Sequence, residues 1–152
     1  MKMSTRLIVL LFAVLIAAAA VAQDFGDAQY FRKAVQGGKK SDPVKGSLRV
    51  DTSSKALEFV AKGNTTEFIV KPAQIKRLVY ERTAKPRYAA GLLIAWPLLF
   101  TKSKSHYLTI QYDDDKGEGQ YAIVRLDKSN YRDALATVEA QTGKRIDRSE
   151  EN

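Results

Sequence analysis

From Gly46 onward apolar residues recur at every second position, and this pattern constrains the chain more than any other feature. A period of two sends alternate side chains to opposite faces of an extended strand, one buried and one wetted. Leu48 and Val50 alternate with Ser47, Arg49 and Asp51, and Leu57, Phe59 and Ala61 alternate with Glu58 and Lys62. Gly63-Asn64 is a turn signal. Phe68 and Val70 mark a third strand, which Pro72 interrupts as a sheet edge or bend requires. Ile75, Leu78, Val79 and Tyr80 predict a fourth, running to Arg82. His106, Leu108, Ile110 and Tyr112 share one face of the next run, opposite Tyr107, Thr109 and Gln111. After a turn over Asp113–Gly119, Ala122, Val124 and Leu126 alternate with Tyr121, Ile123 and Arg125, which predicts an antiparallel hairpin. The period then changes. Tyr131, Leu135, Val138 and Thr142 form one stripe of a helix, with Asp127 or Ser129 placed to cap its start and Gly143 to end it.

Six to seven strands followed by one amphipathic helix predict a mainly β domain over residues 46–146: a curved antiparallel sheet, or partly open barrel, with the helix laid across its mouth. Residues 23–45 read as a lead-in, with a short helix around Ala28–Val35 and a Gly/Pro-marked linker over Gly37–Pro43; residues 147–152 read as a polar tail. The stretch Gly46–Arg145 resembles small exported bacterial proteins with a pleckstrin-homology-like (PH-like), GRAM-like domain. The resemblance is carried by Gly46–Asp51, Leu57–Val60, Phe68–Val70, Ile75–Glu81, Lys102–Ile110 and Arg125–Lys128, which are patterns of strand and turn. It implies binding rather than chemistry, since such folds commonly serve as docking modules, and it carries no ligand residues across.

The start of the chain predicts export. Lys2 and Arg6 precede an unbroken apolar run, Leu7–Ala22, that ends in the small-x-small pattern Ala20-Val21-Ala22. This is the layout of a secretory signal peptide, residues 1–22, whose removal would leave Gln23 first. The run is short for the roughly 20 residues that span a bilayer, which disfavours an uncleaved anchor. Two of the 25 Lys+Arg lie in this segment and none of the 17 Asp+Glu, so the mature chain carries +6. That charge suits a periplasmic or extracellular protein that meets an anionic surface or an acidic partner. The chain has no cysteine, so it has no disulfide, thiolate nucleophile or Cys-based metal site, and must hold together by core burial.

The residues argue against most catalysis. His106 is the single histidine, which rules out multi-His zinc sites and leaves little for a hydrolase triad. Asp113-Asp114-Asp115-Lys116-Gly117-Glu118-Gly119 resembles a calcium loop in composition only. Gly117 stands at the fifth position, Glu118 at the sixth where Gly is required, and Val124 at the twelfth, so a solvated hairpin turn is expected and no metal. Gly37-Gly38-Lys39-Lys40-Ser41 lacks the spacing of a phosphate loop, and Asn64-Thr65-Thr66 reads as a turn. Basic residues are scattered rather than gathered in a run, so nucleic acid is not an expected partner. No cofactor is implied.

One segment departs from the strand pattern. Tyr88–Phe100 is thirteen residues without a charge, too short to span a bilayer. Lys85 and Arg87 precede it, and Lys102, Lys104 and His106 follow. Basic residues around an apolar insertion suit a monotopic contact with an anionic membrane, with Leu92, Leu93, Trp96, Leu98 and Phe100 entering the acyl boundary. On this reading His106 adds charge below about pH 6.5 and acid strengthens binding. The bland alternative is that the segment folds back and plugs the open end of the barrel. The sequence therefore predicts a non-catalytic module for an anionic headgroup, envelope polymer or protein partner; the alternative is an envelope adaptor acting only through protein contacts.

Overall fold

The computed structural model describes residues 22–32, 42–84 and 103–150. They form one mainly β sheet of eight strands with a single described α-helix. The strands are β1 (Gln23–Phe31), β2 (Val44–Val50), β3 (Leu57–Ala61), β4 (Thr66–Val70), β5 (Ile75–Thr83), β6 (Ser105–Asp113), β7 (Gly119–Leu126) and β8 (Ile146–Glu150), and the helix is α1 (Tyr131–Thr142). The order across the sheet is β4-β3-β2-β1-β7-β6-β5-β8, open at both edges. Two meanders, β1–β4 and β5–β7, therefore meet where β1 pairs with β7. Every pairing is antiparallel except β5 with β8, which α1 makes possible by carrying the chain back across.

The sheet is strongly curled. Tyr30 on β1 and Phe68 on β4 lie three strands apart, roughly 14 Å on a flat sheet, yet their ring centroids are 5.1 Å apart. Arg32 reaches across the same gap to Glu67, donating from Nε at 2.8 Å, and holds that carboxyl below its ordinary range. Gly46 permits the curl: a β-carbon there would sit 2.1 Å from the Val60 carbonyl oxygen. The concave face holds the core, with Leu48, Val50, Leu57, Phe59, Val70, Leu78, Leu108, Ile110 and Val124 all at 0% exposure. Helix α1 lays Ala134, Leu135, Val138 and Thr142 into it and packs against β2, as the stripe predicts, with Tyr131 partly buried at its start. Gly143 ends the helix at φ +67°, its N–H donating to the Glu139 carbonyl. The start differs from expectation. Asn130, not Asp127 or Ser129, is the N-cap, and Asp127 instead accepts from the Ser129 N–H and hydroxyl in the preceding turn.

Three expectations are corrected. Residues 23–31 are not a helical lead-in: they form β1, in the middle of the sheet. A bulge at Gly26-Asp27, with Asp27 at φ +54°, breaks the register between Phe25 and Ala28 and hides the alternation. Residues 147–150 are not part of a polar tail but belong to the edge strand Ile146–Glu150, fixed by Ile146 in the core and by the Arg77–Asp147 and Arg148–Glu139 ion pairs. The outward faces of β5, β6 and β7 are not wetted along their whole length either: Val79, Thr109 and Ile123 have exposures of 1%, 0% and 0%, while Arg77 is exposed and Gln111, Tyr121 and Arg125 are half-buried.

The Asp113–Gly119 turn closes on itself. Asp114 accepts N–H bonds from Lys116 and Glu118, Asp113 pairs with Lys76 at 2.8 Å, and Asp115 accepts from Gln74. Among the described residues the first strand begins at Gln23. Among the described residues no helix is long and apolar enough to cross a membrane.

Candidate functional site

The strand registers gather cationic side chains at one end of the curled sheet. Arg82 near the end of β5 is paired with His106 near the start of β6, which is paired with Leu126 at the end of β7. The turn from β7 into α1 begins directly beyond, at Asp127. A shallow pocket of about 280 Å³ opens there, lined among others by Arg82, Lys104, Arg125 and Lys128, with Asp27 and Asp127 as its two carboxylates. A second hollow of about 380 Å³ shares Arg82, His106 and Lys128 with the first and adds Ser129, Tyr131 and Arg132. The two form one continuous rim of five cations and two acids. Arg82, Lys104, Lys128 and Arg132 are exposed, and Arg125 is half-buried.

His106 forms the wall rather than the rim. It is 7% exposed because it is in phase with Leu108 and Ile110 and points to the concave side. Its ring stacks on Tyr131 at 3.7 Å between centroids, and its Nδ1 lies 2.7 Å from the Tyr80 hydroxyl. With Tyr80 donating, the neutral imidazole carries its proton on Nε2. Burial, then Arg82, Lys128 and Arg132, push its pKa below the ordinary 6.5. His106 therefore gains charge only below about pH 6.5, and desolvation and three neighbouring cations move its protonation to more acid conditions. The Arg132 Nε donates to the Tyr131 hydroxyl at 3.0 Å, which tethers the guanidinium over the rim. Asp127 stays ionised well into acid, because the Ser129 hydroxyl and N–H hold its carboxyl below the usual range.

The bulge in β1 completes the arrangement. It turns the Gly26 carbonyl toward Asn130, whose Nδ2 donates to it at 3.2 Å, and so ties the helix start to β1. Asp27, the bulged residue, then borders Arg125 in the pocket. The arrangement presents donors and positive charge around a hollow of headgroup size. It suits retention of an anion by charge-assisted hydrogen bonds.

Of the residues the sequence singles out, Lys104 lies on the rim and His106 in its wall. Lys85, Arg87, Leu92, Leu93, Trp96, Leu98, Phe100 and Lys102 lie outside the described residues. Arg82, Arg125, Lys128 and Arg132 are rim residues the sequence reading passes over. The signal for them was present: once the hairpin is drawn in register, β5, β6 and β7 put Arg82, His106 and Leu126 side by side. Neither a family model nor a curated protein matches this chain.

Proposed function

We propose that this chain is an exported, non-catalytic PH-like module that binds an anionic lipid headgroup at the cationic end of its curled sheet. The observation that carries the reading is the continuous rim of Arg82, Lys104, Arg125, Lys128 and Arg132 around the mouth. Two meanders with a helix across the opening support the PH-like assignment, and the apolar run ahead of Gln23 supports export. A Lys or Arg near an anionic surface contributes about 1 kcal/mol. Five cations less two carboxylates give about 3 kcal/mol by that figure, a preference for anionic over neutral membrane on the order of 100-fold.

Co-sedimentation with phosphatidylglycerol against phosphatidylcholine vesicles tests it. The chain is expected to pellet with the first and not the second, and to be released by salt as exposed charges are screened. Arg82→Glu with Lys128→Glu reverses two charges, a change of about 4 kcal/mol on the same scale, and should abolish pelleting without altering the melting temperature. Equal binding to both vesicles, or binding unchanged in the double variant, would refute the reading.

A further inference from the structure

The strand registers place a second set of cations beside the rim. Arg125 on β7 is paired with Gln29 on β1, and Gln29 with Lys45 on β2. All three lie in the outward phase, since Val124, Ala28 and Val44, one residue before each, pack into the core. Lys62, just past the end of β3, continues the row: its N–H donates to the Lys45 carbonyl at 2.9 Å. A hollow of about 240 Å³ opens on this row, lined by these four residues together with Asp27 and Asp127. Lys45 and Lys62 are exposed, and among the described residues neither is in an ion pair. Arg49, further along β2, is by contrast tied to Asp24 at 3.1 Å.

This hollow adjoins the rim. It shares Asp27, Arg125 and Asp127 with the hollow of about 280 Å³ described above. Arg125 thus serves both, and two carboxylates stand on the divide between them. The β1 bulge fixes Asp27 there at φ +54°, a backbone conformation that a non-glycine residue keeps only where the surroundings hold it. The order along the surface is therefore cations, carboxylates, cations. An anion is repelled from the divide and drawn to one side or the other.

We propose that the two hollows take the two phosphates of one lipid headgroup, of the kind in which two phosphodiesters are joined by a short hydroxyl-bearing linker. One phosphate lies among Arg82, Lys104 and Lys128, the other between Lys45 and Lys62, and Arg125 reaches either. The linker crosses the divide, where its hydroxyl donates to a carboxylate in a charge-assisted hydrogen bond. Arg125 and Lys45 are two strands apart, roughly 10 Å, and long flexible side chains on both sides close that gap. A headgroup with a single phosphate fills one hollow and leaves the other unused. The inference rests on the headgroup reading and adds to it a second anionic group on the ligand.

Vesicles of diphosphatidylglycerol test it against vesicles of phosphatidylglycerol at equal lipid phosphate, both diluted in phosphatidylcholine. The parent chain should bind the first at least about 10-fold more tightly, because each lysine engaged at an anionic surface adds several-fold. Lys45→Gln with Lys62→Gln should make the two affinities equal, with pelleting on phosphatidylglycerol over pure phosphatidylcholine retained and the melting temperature unchanged. Lys55→Gln with Lys116→Gln removes the same charge from exposed residues in the β2–β3 and β6–β7 turns, at the far ends of those strands, and should keep the preference. Equal binding of both anionic vesicles by the parent, with pure phosphatidylcholine refused, would overturn the two-phosphate site and leave the headgroup reading standing. Failure to pellet with either anionic lipid would remove both. A preference that survives Lys45→Gln with Lys62→Gln would place the second phosphate elsewhere and overturn the assignment. Loss of the preference in the Lys55 and Lys116 variant as well would reduce it to net charge, with the same consequence.

Discussion

Truncating Leu135 to alanine tests whether α1 holds the concave core together. The side chain is 1% exposed and sits in the same cluster as β2, β5, β6 and β8 residues. Leu135→Ala removes three carbon atoms, about 0.8 kcal/mol each in transfer free energy. The surrounding sheet is tied by its own ladders and relaxes only in part, so a cavity term adds to this. A loss of about 3 kcal/mol is expected, within the range of about 2–5 kcal/mol for buried leucines. Against a total of roughly 5–15 kcal/mol this is a large fraction, and it lowers the melting temperature on the order of 15 °C for a domain of this size. Urea unfolding is the assay, and the slope with denaturant should match the parent so that the midpoint alone reports stability. Ala136, exposed one residue along the same helix, supplies the control: Ala136→Gly should cost about 1 kcal/mol through helix propensity alone. If Leu135→Ala costs no more than Ala136→Gly, α1 does not seal the core, and the reasoning from its stripe fails.

Gly46→Ala should destabilise by more than about 3 kcal/mol, because its β-carbon would meet the backbone of Val60 and Ala61 rather than a movable side chain; thermal unfolding near the parent value would show that the curl does not need glycine there. His106 has a folded pKa below its unfolded value of 6.5, so its share of stability is full above pH 6.5 and declines as pH falls from there through the folded pKa; in His106→Phe the unfolding midpoint should lose that slope, and an identical pH profile would refute it. Tyr30 has its pKa pushed up to about 12 by burial and by Tyr112, so its contribution is complete below pH 10 and is lost as pH rises through about 12; absorbance titration of Tyr30→Phe should lack one late-ionising phenol, and loss of an ordinary one near pH 10 would contradict its burial.

The hairpins and helix were legible in the sequence because each buries one face and wets the other, at least at the level of its strongest apolar residues. Two strands were not, for separate reasons. In β1 the inward residues are Phe25, then Ala28 and Tyr30, and the extra residue at Gly26-Asp27 shifts the phase halfway. A period-two reading fails across such a step, while Ala28, Phe31 and Val35 mimic helical spacing. β8 has Ile146 as its single aliphatic residue, and charged side chains on an edge strand protect it from pairing with other chains. It is a strand because β5 offers it a ladder, which is tertiary information. The sealed convex face escaped notice because Tyr and Thr pass as outward residues. Ile123 was the signal: an aliphatic in the outward phase of a strand whose inward phase is already apolar marks burial on both sides.

The rim was hidden for a reason of a different kind. Its cations are ordinary surface residues one at a time, and only the registers of β5, β6 and β7 and the entry into α1 bring them together. Strand β6 shows how the two surfaces are separated, Arg125 being the one rim cation that shares the convex phase, opposite Tyr107. His106 faces the concave side and the rim, Tyr107 and Thr109 face the convex side, and Lys104 precedes both at the edge. A one-residue slip would exchange the sets, so register here fixes chemistry as well as packing. Charge reversal at Lys104 should therefore weaken vesicle binding and leave the melting temperature unchanged, whereas Ile123→Glu should lower the melting temperature by burying a carboxylate and spare the vesicle binding of any variant that still folds. Loss of both properties together in either variant would mean that rim and convex face act as one surface, and the separation drawn from the alternation along β6 would be wrong.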